Sequence, residues 1–465
     1  MSIIYFLTKL EITQQPQNYL FVAAAKMLYG NDTIQNIKQS IQLMLQMNLS
    51  TIKINSFKQM HKLASYRNKS IHQNQKCDSM SESLLHFFKN FSFRSLLLEL
   101  DKKIHSTYYT SLWINKLSEY VIKEPIIPIS AFCNIPPLIN ISKLNCSLYP
   151  NAFTGQKRNS TARVAYLIQF GFDVDVLEIH LREIYDVVDY IFIIESTRSH
   201  LLFRKKKLMW ENVRNQDRFV LFNSKIVHLI IDDVDALSND KNVNALFYME
   251  QLQELKRWEK FLKWNSINKY FRDDDLVGIG DTDEISSRNN IHLLKHCEIS
   301  GPVDIGIWFP MSRITQAFKT DWAVPGNEYA LGDPTFWPLK YAEMFNGTPT
   351  RLRGKSGRYL LGGMHMSEHP YLPFLLVKYF TCSECLTTFE RSKLVNKIYE
   401  FIQRDDVYGM ELYFGSWVAS DYAKRITNID SIKEKIKDVK VFPWFYACNK
   451  ERYGYWELKH DLRLD

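Results

Sequence analysis

The chain has 465 residues, of which 46% are apolar and 14% aromatic, enough to bury a large core in two or three folding units. Its 59 basic and 51 acidic residues leave a net charge of +8, a mild excess that suits an anionic ligand but is too evenly spread to predict a nucleic-acid-binding surface. No stretch reaches the roughly 18 apolar residues of a membrane span, and no clear cleavage site follows the short apolar runs near residue 1.

Residues 1–155 differ in pattern from the rest of the chain. Apolar residues have helical spacing at 37–45 and in parts of 84–100, and prolines then interrupt 125–150. We predict an N-terminal region of a few helices and loops, which ends in a linker near 151–161 and has no assigned function.

The seven cysteines include one closely spaced pair, Cys382 and Cys385. This spacing is typical of zinc or redox sites, but no second Cys pair or His pair accompanies it. Free thiols or a local disulfide are the favoured interpretation.

From residue 163 onward, apolar strands alternate with helical patterns. Strands are predicted at 164–170, 190–194, 225–231, 276–279 and 303–309, and helices at 177–188 and 243–265. Such alternation predicts an α/β domain over 156–465, with a mostly parallel sheet flanked by helices.

Two carboxylates follow the strand at 276–279. Asp281 and Asp283 point the same way if the chain stays extended, at the sheet edge where open α/β folds bind ligands. Both could then face one divalent cation, which in turn could hold a diphosphate. Glu284 could be a third oxygen ligand or could bond the backbone. The alternative is a solvated turn, or a cap for the helix near Asn289.

Four further side chains are candidates for contacts with a ligand. Glu195 ends the second strand and could bond a base or ribose, or could simply face water. His365 follows two glycines that allow close backbone approach to a ligand, and it could complete a metal site or bond a phosphate, although a lone His is more often structural. Arg351 and Arg353 could offset diphosphate charge, or could form an exposed basic loop.

Several blocks, taken in order across roughly residues 163 to 456, resemble glycosyltransferase family 17. The blocks are Phe170 to Leu181, Asp186 to Ser196, Asp281-Thr282-Asp283-Glu284-Ile285, Gly362-Gly363-Met364-His365 and Pro443 to Trp456. Their common order is far more specific than any single motif.

The resemblance implies a GT-A-like nucleotide-sugar transferase fold and the inverting transfer of N-acetylglucosamine from UDP-GlcNAc to a mannose of a glycoprotein N-glycan. It implies Mn²⁺ or Mg²⁺ on Asp281, Asp283 and His365, which would stabilise the departing UDP as a Lewis acid. The resemblance also implies that the protein is located in the Golgi or another secretory lumen and is associated with a membrane.

Inversion needs a base for the acceptor hydroxyl. Asp333, in Gly332-Asp333-Pro334, is a candidate for this role, and a turn-forming Asp before Pro is the alternative.

Two other functions stay open at this point. His180 stands where the family usually has Arg, and Met364 stands where it has Trp. These differences motivate a catalytically inactive protein that binds a glycan or a nucleotide-sugar. A phosphohydrolase with Asp281 as nucleophile is less favoured, because such enzymes generally have Thr or Val where Ile285 stands.

Overall fold

The computed structural model describes residues 107–457, except for 132, 201–204, 234–247, 312, 342–348, 350, 367–370, 382–424, 438 and 440–441. The helices predicted within 37–45 and 84–100, and the Cys382–Cys385 pair, lie outside the described residues. Among the described helices, none is both long and apolar enough to cross a bilayer.

The described strands and helices follow the predicted alternation. The strands are β1 (Val164–Gln169), β2 (Tyr190–Ser196), β3 (Ile226–Ile231), β4 (Leu276–Asp281), β5 (Glu284–Ser286), β6 (Val303–Trp308), β7 (Pro310–Met311), β8 (Arg313–Phe318), β9 (Ala330–Pro338), β10 (Tyr359–His365) and β11 (Ile426–Asn428). The α-helices are α1 (Thr107–Val121), α2 (Val174–Ile184), α3 (Met209–Val213), α4 (Asp217–Val220), α5 (Tyr248–Asn268), α6 (Arg288–His296), α7 (Leu372–Thr381), α8 (Lys433–Ile436) and α9 (Trp444–Cys448).

Among the described residues, eight strands form the main sheet, in the order β3-β2-β1-β4-β9-β6-β10-β5. The strands β3, β2, β1 and β4 are parallel, and β10 is parallel to β6. In contrast, β9 runs antiparallel to both β4 and β6, and β5 runs antiparallel to β10. The predicted α/β fold, with a mostly parallel sheet flanked by helices, is confirmed.

The sheet is buried on both faces because its central strands are largely apolar. In β1, Tyr166 packs into the core on one face of the sheet, and Leu167 packs into a second core on the other face. Leu177 of α2 belongs to the first core, and Trp258 and Phe261 of α5 belong to the second. Alternation of side chains along each strand therefore produces two separate cores.

The segment before the sheet packs into the same core as the sheet itself. Ile114 and Leu117 of α1 belong to the core that contains Leu177. The predicted linker is also held in place, since the backbone N–H of Arg158 donates to the carbonyl of His296 at 2.8 Å. Apolar residues on both sides of residue 155 therefore share one core in the part of the chain that the structure describes, and the division of the chain at 155 stays a prediction.

Two long-range disulfides hold this segment. One disulfide joins Cys146 to Cys297, just after α6, and the other joins Cys133 to Cys448 at the end of α9. The sequence separations are 151 and 315 residues. Both bonds tie the segment before the sheet to distant parts of the chain.

Replacing both Cys146 and Cys297 by Ala should lower the free energy of unfolding by about 2–5 kcal/mol, because the bond closes a long loop that the unfolded chain otherwise opens. Thermal unfolding with and without dithiothreitol measures the effect. A quadruple variant without either disulfide should not respond to the reductant. An unchanged Tm in the double variant would contradict this prediction.

Candidate active site

The carboxyl ends of β1, β2 and β4 lie at one edge of the sheet, where β4 leads into a turn. Residue Asp281 is the last of β4, residues 282–283 form the turn, and Glu284 begins β5. A shared orientation of the two aspartates required an extended chain across the Asp-Thr-Asp motif. The chain turns there instead. As a result, Asp281 and Asp283 have different neighbours.

Hydrogen bonds hold this turn from several sides. The backbone N–H and the hydroxyl of Thr282 both donate to the carbonyl of Gln169, at 3.1 and 2.8 Å. The Nδ1 atom of His180 lies 2.8 Å from the Thr282 carbonyl. The backbone N–H of Asp281 donates to the carboxylate of Glu284 at 2.7 Å. Each of these bonds restricts how the turn can present its carboxylates.

Neither aspartate caps the following helix. The N-cap of α6 is Ser287, whose side chain accepts from the backbone N–H of Asn290. The interpretation of the Asp pair as a helix cap is therefore wrong, because a serine closer to the helix takes that place.

Asp281 belongs to a partly buried group of charges that we call the arginine cluster. Its members are Arg257, Arg351, Arg353, Glu254, Asp281, Glu284 and Asp333. Arg351 is at the centre, with its side chain 4% exposed. Its guanidinium lies 2.8 Å from each of the carboxylates of Asp281, Glu284 and Glu254. The arginine is therefore not part of an exposed basic loop, because three carboxylates surround it.

Burial and the neighbouring charges shift the pKa values of the carboxyl groups in the cluster in opposite directions. Burial alone would raise the pKa of Asp281, but Arg351 and Arg257 outweigh this effect and lower that pKa to about 2. Burial raises the pKa of Glu284 despite the contact with Arg351. Burial and the charge of Glu284 raise the pKa of Asp333 well above its usual value. Asp281 is therefore firmly ionised.

Asp333 lies inside β9 and is fully buried. A cis peptide bond joins it to Pro334. Neither of its carboxyl oxygens has a hydrogen-bond partner among the described residues, and Arg353 Nε lies 3.3 Å from the nearer one. The turn interpretation is wrong, because β9 runs through this position. Complete burial also separates the side chain from any acceptor in solution.

His365 lies beside Asp283 at the end of β10. Its Nε2 atom is 4.0 Å from Asp283 Oδ2, and its ring packs edge-on against Phe309. The preceding Gly363 has φ = +133°, and a Cβ there would lie 2.3 Å from the carbonyl of Ile285. The close approach that glycine permits is thus to the neighbouring strand β5 rather than to a ligand.

The predicted cation ligands are only partly brought together. Among the residues that the structure describes, no three His, Cys, Asp or Glu side chains are grouped so that they could hold an ion. Asp283 and His365, however, are 4.0 Å apart, a separation that two ligands of one ion can span at bond lengths of about 2.1 Å. These two residues fit two positions around a cation, whereas Asp281 is engaged by arginines.

Glu195 is fully buried at the end of β2, so it does not face water. Its carboxylate accepts from the backbone N–H groups of Met209 and Trp210, at 2.7 and 2.9 Å, and from Lys206 and His228, both at 3.1 Å. Burial opposes ionisation, but Lys206 and His228 outweigh it and lower the pKa of Glu195. The carboxylate fixes the start of α3, and its four donors leave no exposed surface for a base or ribose.

Two residues near Asp283 were not among the predicted site residues. Lys378 of α7 places its Nζ 4.0 Å from Asp283 Oδ2. Burial and the charge of Asp283 raise the pKa of Asp173 to about 7, although Lys378 opposes this shift. Asp173 was interpreted as part of an acidic helix start, yet its position just after β1 already placed it at the ligand-binding edge. No sequence signal identified Lys378, because α7 lies far along the chain.

Comparison with known families agrees with this geometry. Residues 130–306 match the sequence model of glycosyltransferase family 17, a stretch that contains β1 to β5, the Asp281–Asp283 turn and the start of β6. No curated protein matches the chain significantly. Over residues 130–306 the chain is therefore similar to glycosyltransferase family 17, and this similarity supports a glycosyltransferase function.

Proposed function

We propose that the protein transfers N-acetylglucosamine from UDP-GlcNAc, with inversion, to a mannose of an N-linked glycan. The family match supports transfer of a sugar from a donor to a glycan acceptor. The observation that carries the proposal is the ordered turn that places Asp283 beside His365 at the carboxyl edge of the sheet. A nucleotide diphosphate at that edge would meet these two side chains and Lys378.

The proposal includes Mn²⁺ or Mg²⁺, with Asp283 and His365 as its protein ligands. When bound, the cation supplies Lewis-acid stabilisation of the departing UDP. Lys378 adds a positive charge on the same side of Asp283, where it would attract the diphosphate. The remaining ligand positions would belong to phosphate oxygens and water.

The arginine cluster holds the turn and limits which arginine can reach the donor. Arg257 and Arg351 are 2% and 4% exposed, whereas Arg353 is 27% exposed. The guanidinium of Arg353 also lies over the ring of Trp322, which faces solvent. Arg353 is therefore our candidate for a direct contact with the diphosphate, while Arg351 supports Asp281 and Glu284.

Inversion requires a base that takes the proton of the acceptor hydroxyl. The proposal does not give this role to Asp333, because its side chain is a fully buried member of the arginine cluster.

We also propose a secretory lumen such as the Golgi as the site of action. The two disulfides support this proposal, because such bonds persist in oxidising compartments and are rare in the cytosol.

Incubation with a panel of UDP- and GDP-sugars and mannose-containing N-glycans, with Mn²⁺, with Mg²⁺ or with EDTA, tests the proposal. We expect transfer from UDP-GlcNAc that requires a divalent cation, and an inverted anomeric linkage in the product. Transfer from another nucleotide sugar would show that the proposed donor is wrong. Equal turnover in EDTA would show that the reaction needs no divalent cation.

Two further results would favour the alternative functions. Binding of UDP-GlcNAc without turnover on any acceptor would favour an inactive binding protein. Release of phosphate from a phosphomonoester without any sugar donor would favour a phosphohydrolase.

A further inference from the structure

The carbonyl groups on the two sides of Asp283 are both held by buried side chains. The carbonyl of Thr282 lies 2.8 Å from Nδ1 of His180, and the hydroxyl of Tyr166 donates to the carbonyl of Glu284 at 3.2 Å. The Thr282 carbonyl belongs to the peptide unit before Asp283, and the Glu284 carbonyl lies one peptide unit beyond the unit that follows Asp283, so the two bonds hold the backbone on both sides of this residue.

His180 and Tyr166 also contact each other. Their ring centroids are 5.2 Å apart with an interplanar angle of 71°, an edge-on arrangement that aromatic pairs favour. Both side chains are fully buried, and they come from adjacent elements, α2 and β1. The pair therefore connects the turn to the rigid centre of the fold.

The protonation state of His180 follows from its surroundings. Burial lowers the pKa of His180 to about 4, so that the ring is neutral near pH 7. Because a carbonyl can only accept, Nδ1 carries the proton. The other nitrogen, Nε2, is buried without a hydrogen-bond partner in the described structure. A buried polar atom left unpaired costs stability, so the histidine is not the residue that packing alone would select.

We propose that His180 and Tyr166 are positioning residues that orient Asp283 by holding the carbonyls of its two neighbours. The inference deepens the proposed function and rests on it, because Asp283 is the proposed ligand of the donor-bound cation. Groups that orient a metal ligand without touching the metal typically contribute about 10–100-fold to affinity or activity.

Two substitutions at one position separate positioning from packing. His180→Asn keeps an N–H donor near the place of Nδ1 but loses the ring. His180→Phe keeps an aromatic ring against Tyr166, loses the donor and removes the unpaired Nε2. If His180 acts by positioning Asp283, His180→Phe should weaken donor binding more than His180→Asn does. If His180 acts only by packing, His180→Asn should be the more harmful change.

We expect His180→Phe to raise the Kd of UDP with Mn²⁺ by about 10-fold in calorimetry, with little change in thermal stability, because removal of the unpaired Nε2 offsets the lost bond to the Thr282 carbonyl. His180→Asn should stay within about 3-fold of the wild type in Kd, even if its Tm falls. Tyr166→Phe, which removes only the hydroxyl, should also weaken binding. The controls are His292→Phe and Tyr371→Phe, because His292 and Tyr371 bond backbone carbonyls far from the turn.

Hydrogen–deuterium exchange of the peptide spanning 280–286 gives a second readout that needs no ligand. His180→Phe should speed exchange there, whereas His292→Phe should not. Unchanged exchange and Kd in His180→Phe, or a larger loss of binding in His180→Asn, would overturn the inference. If the wild type itself binds no UDP with Mn²⁺, the proposed function fails, and exchange alone decides whether His180 holds the turn.

Discussion

Asp283→Asn should reduce sugar transfer by at least about 100-fold while the fold stays intact. Groups that only orient a metal ligand contribute 10–100-fold, so removal of a ligand itself should cost no less. The structure also explains the expected stability. The Nζ atom of Lys378 and the Nε2 atom of His365 are both 4.0 Å from the Asp283 carboxylate, at the limit of an ion pair, and we expect the loss of these contacts to change the free energy of unfolding by less than about 1 kcal/mol.

The matched comparison is Asp281→Asn, two residues earlier. Asp281 is bound by Arg351 at 2.8 Å and lies 3.6 Å from Arg257, so this change should also lower the free energy of unfolding, by about 1–3 kcal/mol. Steady-state kinetics and urea unfolding of both variants measure the difference. Wild-type turnover in Asp283→Asn would remove this residue from the proposed mechanism.

Arg351→Met should destabilise the protein by about 3–5 kcal/mol, the largest effect that we expect from a single substitution. Removing one partner of a buried ion pair leaves an uncompensated buried charge, and here three carboxylates within 2.8 Å lose their common partner. Arg351→Lys should recover only part of the loss, because a single ammonium cannot replace a forked guanidinium between several carboxylates. Urea unfolding followed by circular dichroism measures both variants.

Arg425→Met serves as the control. Arg425 also lies 2.7 Å from a carboxylate, that of Asp321, but this pair is exposed, and its loss should cost less than about 1 kcal/mol. Equal losses in the two variants would show that the arginine cluster is not a stabilising unit.

The Asp281–Arg351 pair also gives stability a defined pH dependence. The pKa of Asp281 is lowered from 3.8 to about 2 in the folded protein. The stability that this shift supplies is therefore present above about pH 4 and is lost as the pH falls toward 2.

The parallel half of the sheet was predictable, because each of its strands is a short apolar run of the sequence. The predicted strands at 164–170, 190–194, 225–231 and 276–279 match β1, β2, β3 and β4 to within two residues at each end. The strands β9 and β10 in the other half of the sheet were not predicted. Glycines and a proline interrupt their apolar pattern, and their pairing depends on partners distant in sequence.

Asp283 and His365, both predicted as site residues, lie 4.0 Å apart, and their role in a common site stays a prediction. The division of Asp281 and Asp283 between two sets of neighbours was not predictable, because it depends on a turn at Thr282 and on contacts to Arg351 and His180. Periodicity and spacing report on local structure, whereas these contacts join residues about 70 to 100 positions apart.

The bond between Cys133 and Cys448 closes most of the described chain into a covalent ring. Its two cysteines are 315 residues apart, and the long segment 382–424 lies between them. A single proteolytic cut within this ring leaves both pieces joined through the disulfide until it is reduced. The ring also cannot close during synthesis until Cys448 has been made, 315 residues after Cys133.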